Sequence, residues 1–369
     1  MLQRPPAEPG MSEDEIDTPA LVVDLDALED NLDRMAAFCE ASSVKLRGHA
    51  KTHKSPVIAH WQMARGAVGQ CVQKVGEAEI LAWGGVPDIL VSNEVVSPRK
   101  IARLAALASM ATVSLCVDDL ATIDVIEDVA RSAGQRLTVL VEIDVGSKRC
   151  GVMPGHEAVI LAQRIAASKS LIFGGLQAYH GGAQHLRRPE LRKAAINSAA
   201  DAVRLTVASL HEVGLDCAIV GGGGTGTFSL EAASGVYNEI QAGSYIFMDA
   251  DYGRNEPSPA FRQSLFVLSM VMSAARDGRA VVDCGHKGIA VDSGMPLVHA
   301  RPGISVSGAS DEHGQLVLEA EADRLAVGER LRLTPGHCDP TVDRYDWYVG
   351  LRGNRVETVW PVAARGAMS

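Results

Sequence analysis

The feature that most constrains the fold is an alternation, between residues 44 and 245, of short apolar segments with longer segments of helical spacing. Three of the longer segments, 54–66, 97–108 and 119–133, are rich in Ala, Leu and Glu. Strands that alternate with helices predict a parallel sheet, and eight such units favour a (β/α)8 TIM-type barrel over a doubly wound open sheet. The eight strand-like segments are 44–49, 68–73, 88–93, 112–117, 137–143, 171–179, 217–222 and 239–245.

The segments outside this alternation predict a second domain. After residue 262 the pattern changes to strand-like runs separated by turns that contain Gly and Asp, which is typical of an all-β domain. We therefore predict a barrel over 26–262 and a C-terminal all-β domain over 263–369. Residues 1–17 are rich in Pro and acidic residues and are predicted to be loosely structured, whereas residues 18–25 predict a strand that joins the β-domain.

Composition and charge narrow the range of functions. The formal net charge is −10, which argues against nucleic acid as a partner because a phosphate backbone requires a basic patch. No run of about 18 apolar residues occurs, so no membrane span is expected, and the N-terminus lacks the apolar stretch of a signal peptide. The seven cysteines are scattered without CxxC pairs, which is typical of reduced thiols in a cytoplasm.

A basic cluster follows the first barrel strand. His49, Lys51 and His53 alternate along the chain, so an extended backbone would place them on one face. In barrels of this type the carboxyl ends of the strands form the active face. A lysine there can form a Schiff base when desolvation or neighbouring cations lower its pKa. A basic surface loop is the alternative interpretation.

Two glycine-containing segments predict an anion site. Segment 221–226 has four consecutive glycines after the seventh strand, and their freedom lets backbone N–H groups approach a ligand closely. The loops after strands seven and eight of such barrels often hold phosphate. We therefore predict a phosphate cup that segment 242–245 completes; a flexible turn is the alternative.

A candidate metal-binding pair lies near the C-terminus, where His337 and Asp339 stand two residues apart. On an extended strand their side chains point the same way and offer one nitrogen and one oxygen, a set that suits Mn²⁺, Mg²⁺ or Zn²⁺. In a bulged strand Cys338 would replace Asp339 and favour Zn²⁺. A turn in which His337 is merely hydrogen-bonded is the alternative.

Further candidates are dispersed over later strand ends. Arg149 follows the fifth strand, and Tyr179, His180 and His185 follow the sixth. Loops after separate strands meet on one face of a barrel, so these side chains are predicted to converge. A surface ion pair or a core aromatic is the alternative for each.

Together these segments resemble the fold-type III, alanine-racemase-like pyridoxal-phosphate enzymes, within the branch of D-threonine aldolases, 3-hydroxy-D-aspartate aldolases and D-serine dehydratases. The resemblance covers nearly the whole chain, and segment 346–366 is most similar to the 3-hydroxy-D-aspartate aldolases. The branch usually has proline where this chain has Gly48, which puts the rigidity of that strand end in question. The distinctive motifs are HAKTHK (49–54), CVQKVGEAE (71–79), SNEV (92–95), VEIDVGSKRCGV (141–152), LQAYHGGAQH (176–185), GGGTGT (222–227), GVYNEIQAGSYIFMDADYG (235–253) and PGHCDPT (335–341).

The resemblance implies a role for each candidate. Lys51 matches the lysine that binds pyridoxal phosphate covalently, and Arg149 matches the arginine that faces the pyridine nitrogen. Tyr179 matches the active-site tyrosine. His337 and Asp339 match the ligands of a divalent metal, with Mg²⁺ or Mn²⁺ expected before Zn²⁺. The cofactor phosphate is expected at Thr225, Gly226, Gly243, Ser244 and Tyr245.

The resemblance also implies a reaction, the cleavage of D-3-hydroxyaspartate to glycine and glyoxylate by a homodimer. His185 is the candidate base for the β-hydroxyl proton, with a metal-bound hydroxide as its rival. Arg254 is the candidate for binding the second substrate carboxylate, followed by His313, Lys287 and His286. The alternatives are cleavage of D-threonine, dehydration of D-serine or D-3-hydroxyaspartate, and a non-enzymatic pyridoxal-phosphate carrier, although such carriers lack a β-domain.

Overall fold

The chain enters its barrel through β1 (Ala20–Asp24) and α1 (Leu25–Ala41). In the computed structural model, which describes residues 3–369, eight parallel strands then close into a barrel in chain order. The barrel strands are β2 (Lys45–His49), β3 (Gly69–Val72), β4 (Asp88–Glu94), β5 (Thr112–Val117), β6 (Leu137–Glu142), β7 (Leu171–Gln177), β8 (Ile219–Gly222) and β9 (Glu239–Ile240). The helices of this part are α2 (Pro56–Met63), α3 (Val75–Trp83), α4 (Pro98–Leu107), α5 (Leu120–Ser132), α6 (His156–Ala166), α7 (Pro189–Glu212), α8 (Phe228–Ala233) and α9 (Ala250–Gly253).

Alternate side chains of the barrel strands pack on opposite sides of the sheet. Val72 belongs to the large apolar core between strands and helices. Its neighbour Cys71 points the other way and joins Leu90, Cys116 and Leu140 in a separate buried cluster inside the barrel. The barrel is therefore a packed core rather than a pore, and its chemistry is confined to the carboxyl ends of the strands.

Short polar side chains fix where helices begin. Asp24 caps α1, since its side chain accepts a hydrogen bond from the Ala27 amide (2.9 Å). Asp119 caps α5 in the same way through the Thr122 amide (2.8 Å). Each cap satisfies an amide that the helix itself leaves unpaired.

The second domain is one nine-stranded sheet that includes β1. β1 runs antiparallel to β10 (Leu265–Arg276) and parallel to β16 (Trp347–Arg352). The other strands are β11 (Arg279–Val282), β12 (Leu297–Val298), β13 (Ile304–Ala309), β14 (Gly314–Leu318), β15 (Arg330–Thr334) and β17 (Arg355–Pro361), and helix α10 (Cys338–Val342) follows β15. Across the sheet the order is β11-β14-β13-β12-β15-β10-β1-β16-β17.

This architecture confirms the predicted fold class, a (β/α)8 barrel with an all-β domain, while the boundaries at residues 26 and 262 stay predictions. The strand predicted over 239–245 is shorter, because a 3-10 helix, Ser244–Ile246, follows β9 after a few residues. The looseness predicted for 1–17 is wrong for residues 3–17: Ile16 is fully buried, and the Gly10 amide donates to the Val356 carbonyl (2.8 Å). Within residues 3–369, no helix combines the length and the apolar character that a membrane crossing requires.

Candidate active site

A cavity of about 200 Å³ opens at the carboxyl ends of the barrel strands. Residues after six different strands reach it, as convergence on one barrel face predicts. The sequence-predicted residues that line it are Lys51, Arg149, Tyr179, Thr225, Gly243 and Ser244. The cavity is therefore the place to test whether these side chains fit the predicted cofactor and metal.

Lys51 lies in the turn after β2 and reaches towards the β-domain. The turn is anchored on β3, because the Ala50 amide donates to the Cys71 carbonyl (2.8 Å). The Lys51 ammonium contacts the carboxylate of Asp339. Burial alone would lower the pKa of Lys51, but Asp339 and Tyr179 together outweigh burial and raise it. The same pairing, with help from His337, holds the pKa of Asp339 well below its usual range although burial opposes this.

The predicted metal ligands lie beside this amine. His337 Nε2 is 3.9 Å from Asp339 Oδ2, so one nitrogen and one oxygen face a common point. The Nδ1 atom of the same ring lies 2.8 Å from Asp249 Oδ2 and is thus hydrogen-bonded away from that point. The donor set and its orientation fit a divalent cation held by one imidazole and one carboxylate, with room for further oxygen ligands.

The backbone around these ligands differs from the predicted extended strand. His337 is extended, but α10 begins at Cys338, so Asp339 belongs to the first turn of a helix. The two side chains still meet, because the helical turn brings Asp339 back towards the ring of His337. Cys338 is fully buried next to this pair: its Sγ lies 3.4 Å from Asp339 Oδ1 and within 4.8 Å of ligand atoms of Asp249 and His337.

Two features of the predicted phosphate cup fit an anion ligand. The hydroxyls of Thr52 and Thr225 are buried without a hydrogen-bond partner among the described residues, and both line the cavity. A Cβ on Gly243 would lie 2.5 Å from Thr52 Oγ1 and 2.9 Å from the His49 carbonyl oxygen, so the close approach requires glycine. These observations fit a phosphate group held by the ends of β2, β8 and β9.

Two residues expected at the phosphate lie outside the cavity wall. The Gly226 amide donates to Gln184 Oε1 (2.9 Å). Tyr245 is fully buried beneath the cup, where its hydroxyl accepts a hydrogen bond from Gln62 Nε2 (2.9 Å). Tyr245 lies outside the cup because the chain turns into a 3-10 helix at Ser244 instead of continuing as a strand.

Arg149 and Tyr179 stand together on another wall. The Arg149 guanidinium carbon is 6.0 Å from the centre of the Tyr179 ring, within the range of a cation–π contact. Burial raises the pKa of Tyr179, which keeps the phenol protonated as a hydrogen-bond donor. Arg149 remains charged under all ordinary conditions, so a pyridine nitrogen beside it would stay unprotonated.

Comparison with known proteins decides the family. Residues 23–251 match the family described as alanine racemase, N-terminal domain, and residues 264–351 match the putative serine dehydratase domain. The chain belongs to the alanine-racemase-like family of pyridoxal-phosphate enzymes. The predicted family, its branch and its cofactor are thereby confirmed.

Relatives of this alanine-racemase-like enzyme place it among the lyases, as predicted. It is 48% identical to the 3-hydroxy-D-aspartate aldolase of Paracoccus denitrificans strain Pd 1222, over 98% of this chain and 95% of the relative. It is 44% identical to the D-threonine aldolase of an Arthrobacter species, over 98% of this chain and 96% of the relative. The crystal structure of D-threonine aldolase from Filomicrobium marinum has a TM-score of 0.97 and 47% identity, with both chains covered completely.

Two further predicted residues of this alanine-racemase-like enzyme, His185 and Arg254, lie at the rim of the cavity beside the lining residue Tyr252, but neither lines the cavity itself. His185 Nδ1 is 2.5 Å from Asp251 Oδ2, and Arg254 donates to Asp251 Oδ1 (2.7 Å). Arg187 also contacts this carboxylate, which is almost completely buried. The adjacent Tyr252 lines the cavity, and its ring centre is 6.0 Å from that of His185.

His313, the other predicted substrate residue, is not brought to this cavity. It lies in the turn between β13 and β14 and lines a separate groove with Arg276 and Arg279. His286 and Lys287 are also elsewhere, since both pair with acidic residues of that turn, His286 with Asp311 at 2.8 Å.

Sequence reasoning missed several neutral lining residues, namely Gln73, Ser92, Gln177, Gln241 and Tyr252. His49, which was singled out only as part of the basic cluster, joins the first two: its Nε2 lies 3.1 Å from Gln73 Nε2 and 3.3 Å from Ser92 Oγ. Burial, followed by the charge of Lys51, holds the pKa of His49 well below its usual value, so the ring is neutral. Their position could have identified these residues, because side-chain amides and hydroxyls at the carboxyl ends of barrel strands face the active site.

Proposed function

We propose that this enzyme cleaves D-3-hydroxyaspartate to glycine and glyoxylate, using pyridoxal phosphate and a divalent metal. One observation carries the proposal: Lys51, which would bear the cofactor, lines the cavity that contains the phosphate cup and contacts Asp339, which lies beside His337. The similarity to a 3-hydroxy-D-aspartate aldolase supports the substrate. The oxygen and nitrogen ligands support Mg²⁺ or Mn²⁺ before Zn²⁺.

The side chains divide the work of this reaction. Lys51 binds the cofactor, the hydroxyls of Thr225 and Ser244 hold its phosphate, and Tyr179 covers it. When bound, the cofactor accepts the electron pair released by cleavage of the Cα–Cβ bond. Arg149 keeps the pyridine nitrogen free of a proton.

His337 and Asp339 would hold the metal where it orients the β-hydroxyl of the substrate and lowers the pKa of that hydroxyl. His185 would then take the hydroxyl proton, since its ring lies beside Tyr252 at the rim and Asp251 orients it through Nδ1. The Nε2 atom is thus the one left to receive the proton, while Asp251 stabilises the resulting positive charge.

The rim favours a substrate with a second negative charge. Two guanidinium groups, of Arg187 and Arg254, share the one carboxylate of Asp251, so the cluster carries a net positive charge. Arg187 is further occupied by the Asn255 side chain (2.8 Å), whereas half of the Arg254 side chain is exposed. We therefore assign the second substrate carboxylate to Arg254 and leave His313 out of the site.

D-threonine is the second candidate substrate, because the structural match to a D-threonine aldolase extends over both complete chains. Dehydration is less favoured than cleavage, since the relatives with 48% and 44% identity are both aldolases. A carrier without turnover is disfavoured by the metal pair that the β-domain supplies.

We further propose a cytoplasmic homodimer. The cysteines are free thiols, as a reducing compartment requires. Val96, after β4, and Met153, in the loop after β6, are 67% and 64% exposed, and exposed apolar side chains are candidates for a contact between subunits. Sedimentation of the holoenzyme should give twice the mass of one chain.

Product analysis tests the proposed reaction. The holoenzyme is incubated with D-3-hydroxyaspartate diastereomers and with D-threonine, each with and without chelator. We expect glyoxylate and glycine, faster than acetaldehyde from D-threonine, and no product in the chelated sample. Ammonia and an oxo-acid without glycine would refute cleavage. Borohydride reduction should attach the cofactor to Lys51, and Lys51→Ala should stay unlabelled.

A further inference from the structure

Asp249 is a buried carboxylate that neither the sequence analysis nor the proposed reaction uses. Its side chain is completely inaccessible to solvent. It has three partners: Oδ2 accepts hydrogen bonds from His337 Nδ1 (2.8 Å) and the Cys338 amide (2.9 Å), and Oδ1 accepts one from the Tyr252 amide (2.9 Å). Among the described residues no lysine or arginine pairs with it.

These contacts determine the state of the His337 ring. A carboxylate only accepts hydrogen bonds, so Nδ1 must carry the proton that it donates to Asp249. The Nε2 lone pair is then available and points towards Asp339, which lies 3.9 Å away. A neutral imidazole in this tautomer is the form that binds a metal ion through Nε2.

The same carboxylate joins two parts of the site. Through Cys338 it holds the first turn of α10, which carries Asp339. Through Tyr252 it caps the N-terminus of α9, whose residue Tyr252 lines the cavity and whose residue Asp251 pairs with His185 and Arg254. Backbone hydrogen bonds strengthen this junction, since the Ala250 and Asp251 amides donate to the carbonyls of Pro335 and Gly336 (3.0 and 3.1 Å).

We propose that Asp249 is the positioning residue of the metal site, which holds His337 in the Nδ1–H tautomer and fixes the metal ligands against the substrate rim. The inference rests on the metal site of the proposed function. A carboxylate behind a ligating histidine raises the basicity of the ring and fixes its orientation, and removing such a partner lowers metal affinity by roughly 10- to 100-fold.

Asp249→Asn removes the charge with little change in shape, and its matched control is Glu231→Gln, which removes a buried carboxylate behind the glycine loop. Mn²⁺ binding to each pyridoxal-phosphate holoenzyme is measured by calorimetry. We expect the Mn²⁺ dissociation constant of Asp249→Asn to rise roughly 10- to 100-fold, while the absorbance of the bound cofactor stays the same. The control should bind Mn²⁺ like the wild type.

The outcomes separate this inference from the proposed function. Equal Mn²⁺ affinity of Asp249→Asn and wild type would overturn the role of Asp249 and leave the metal site intact. Equal loss of cofactor and Mn²⁺ binding would also overturn it, because that result describes a general structural role. A wild-type enzyme that binds no Mn²⁺ would overturn both proposals.

A measurement on the wild type guards against a variant that does not fold. Nitrogen-15 spectra of the histidine rings, recorded with diamagnetic Mg²⁺ or Zn²⁺, distinguish the protonated from the metal-bound nitrogen. We expect one histidine ring with a protonated Nδ1 and a metal-bound Nε2. The signals of this ring should be absent from the spectrum of His337→Gln, which assigns them to His337. Metal bound to Nδ1 of that ring would overturn the proposal.

Discussion

Gly48 gives the sharpest test of how the active-site strand is packed, because this chain lacks the proline that its branch usually has there. A Cβ on Gly48 would lie 2.6 Å from Gln62 Oε1, 2.7 Å from its Nε2 and 2.8 Å from its Cδ. The backbone of Gly48 is that of a strand, so the clash with Gln62, and not backbone strain, determines the effect of Gly48→Ala. The side chain of Gln62 must therefore move or the strand must shift.

Gln62 cannot move without cost, because it is a link in a buried chain of hydrogen bonds. Its Nε2 donates to the Tyr245 hydroxyl (2.9 Å), and its Oε1 accepts from Gln70 Nε2 (3.0 Å). Gln70 Oε1 in turn lies 3.4 Å from His53 Nε2. Burial lowers the pKa of His53 to about 4, so the neutral ring takes part in this chain at ordinary pH.

The magnitude follows from these contacts. Displacing Gln62 breaks two hydrogen bonds worth about 1 kcal/mol each and leaves buried partners unsatisfied at about 1–3 kcal/mol. We expect Gly48→Ala to lower the free energy of unfolding by roughly 2–5 kcal/mol, measured by urea denaturation of the apoprotein. Circular dichroism should show an otherwise intact fold.

A double-mutant cycle decides whether Gln62 is the cause. Gln62→Ala alone should be destabilising, but Gly48→Ala added to Gln62→Ala should cost almost nothing, because the new methyl group then enters the vacated space. The coupling energy should reach about 2 kcal/mol or more. If the losses of unfolding free energy in the two single variants simply add in the double variant, Gln62 is not the cause. The strain would then lie in the strand itself.

Three further predictions concern charge, space and metal. Burial raises the pKa of the Glu231 carboxyl from 4.5 to about 7. Between these pH values the unfolded chain has released this proton but the folded protein still holds it, so the wild type becomes less stable as pH rises. We expect its free energy of unfolding to fall by up to about 3 kcal/mol relative to that of Glu231→Gln. Denaturation at pH 5 and pH 8 should show that Glu231→Gln gains stability over the wild type only at pH 8. An equal difference in the free energy of unfolding at both pH values would contradict this. Gly243→Ala should weaken cofactor binding in an absorbance titration, because the His49 carbonyl cannot withdraw from the new Cβ, and unchanged affinity would contradict the fit. Chelation should abolish cleavage and leave cofactor absorbance unchanged, whereas parallel loss of both would show that the metal maintains the cofactor site.

The sequence alone predicted the barrel closely because its signal is local. Each strand is a short apolar run and each helix an amphipathic one, so β5 was predicted with its observed bounds, 112–117. The active face of such a barrel lies at the carboxyl ends of its strands, and this selected Lys51, Arg149 and Tyr179. All three line one cavity. Strands β12 and β13 were not among the predicted strand-like runs; β12 has only two residues, too few for a periodic pattern, and one of its partners is the distant β15.

The parts of the site that were predicted less well depend on turns and on distant partners. Tyr245 was expected at the phosphate because an uninterrupted strand was assumed, yet the 3-10 turn at Ser244 sends it into the core. Asp249 carries no local signal at all, since its role arises only when residue 337, far along the chain, arrives beside it. Arg254 was identified, but the shared carboxylate of Asp251 that determines its orientation was not.

Neither domain contains the reaction centre by itself. The barrel supplies Lys51, whereas Asp339 comes from the β-domain, and the junction is fixed just beyond the lysine: Lys54 Nζ lies 2.9 Å from Glu77 of the barrel and 3.1 Å from Asp343 of the β-domain. Next to it, the Tyr348 hydroxyl donates to the carbonyl of His53 (2.8 Å). Such buried contacts hold the lysine turn against the metal segment, so the distance between amine and metal ligands is determined by domain packing and not by either loop. In the proposed reaction the β-domain is therefore part of the catalytic apparatus.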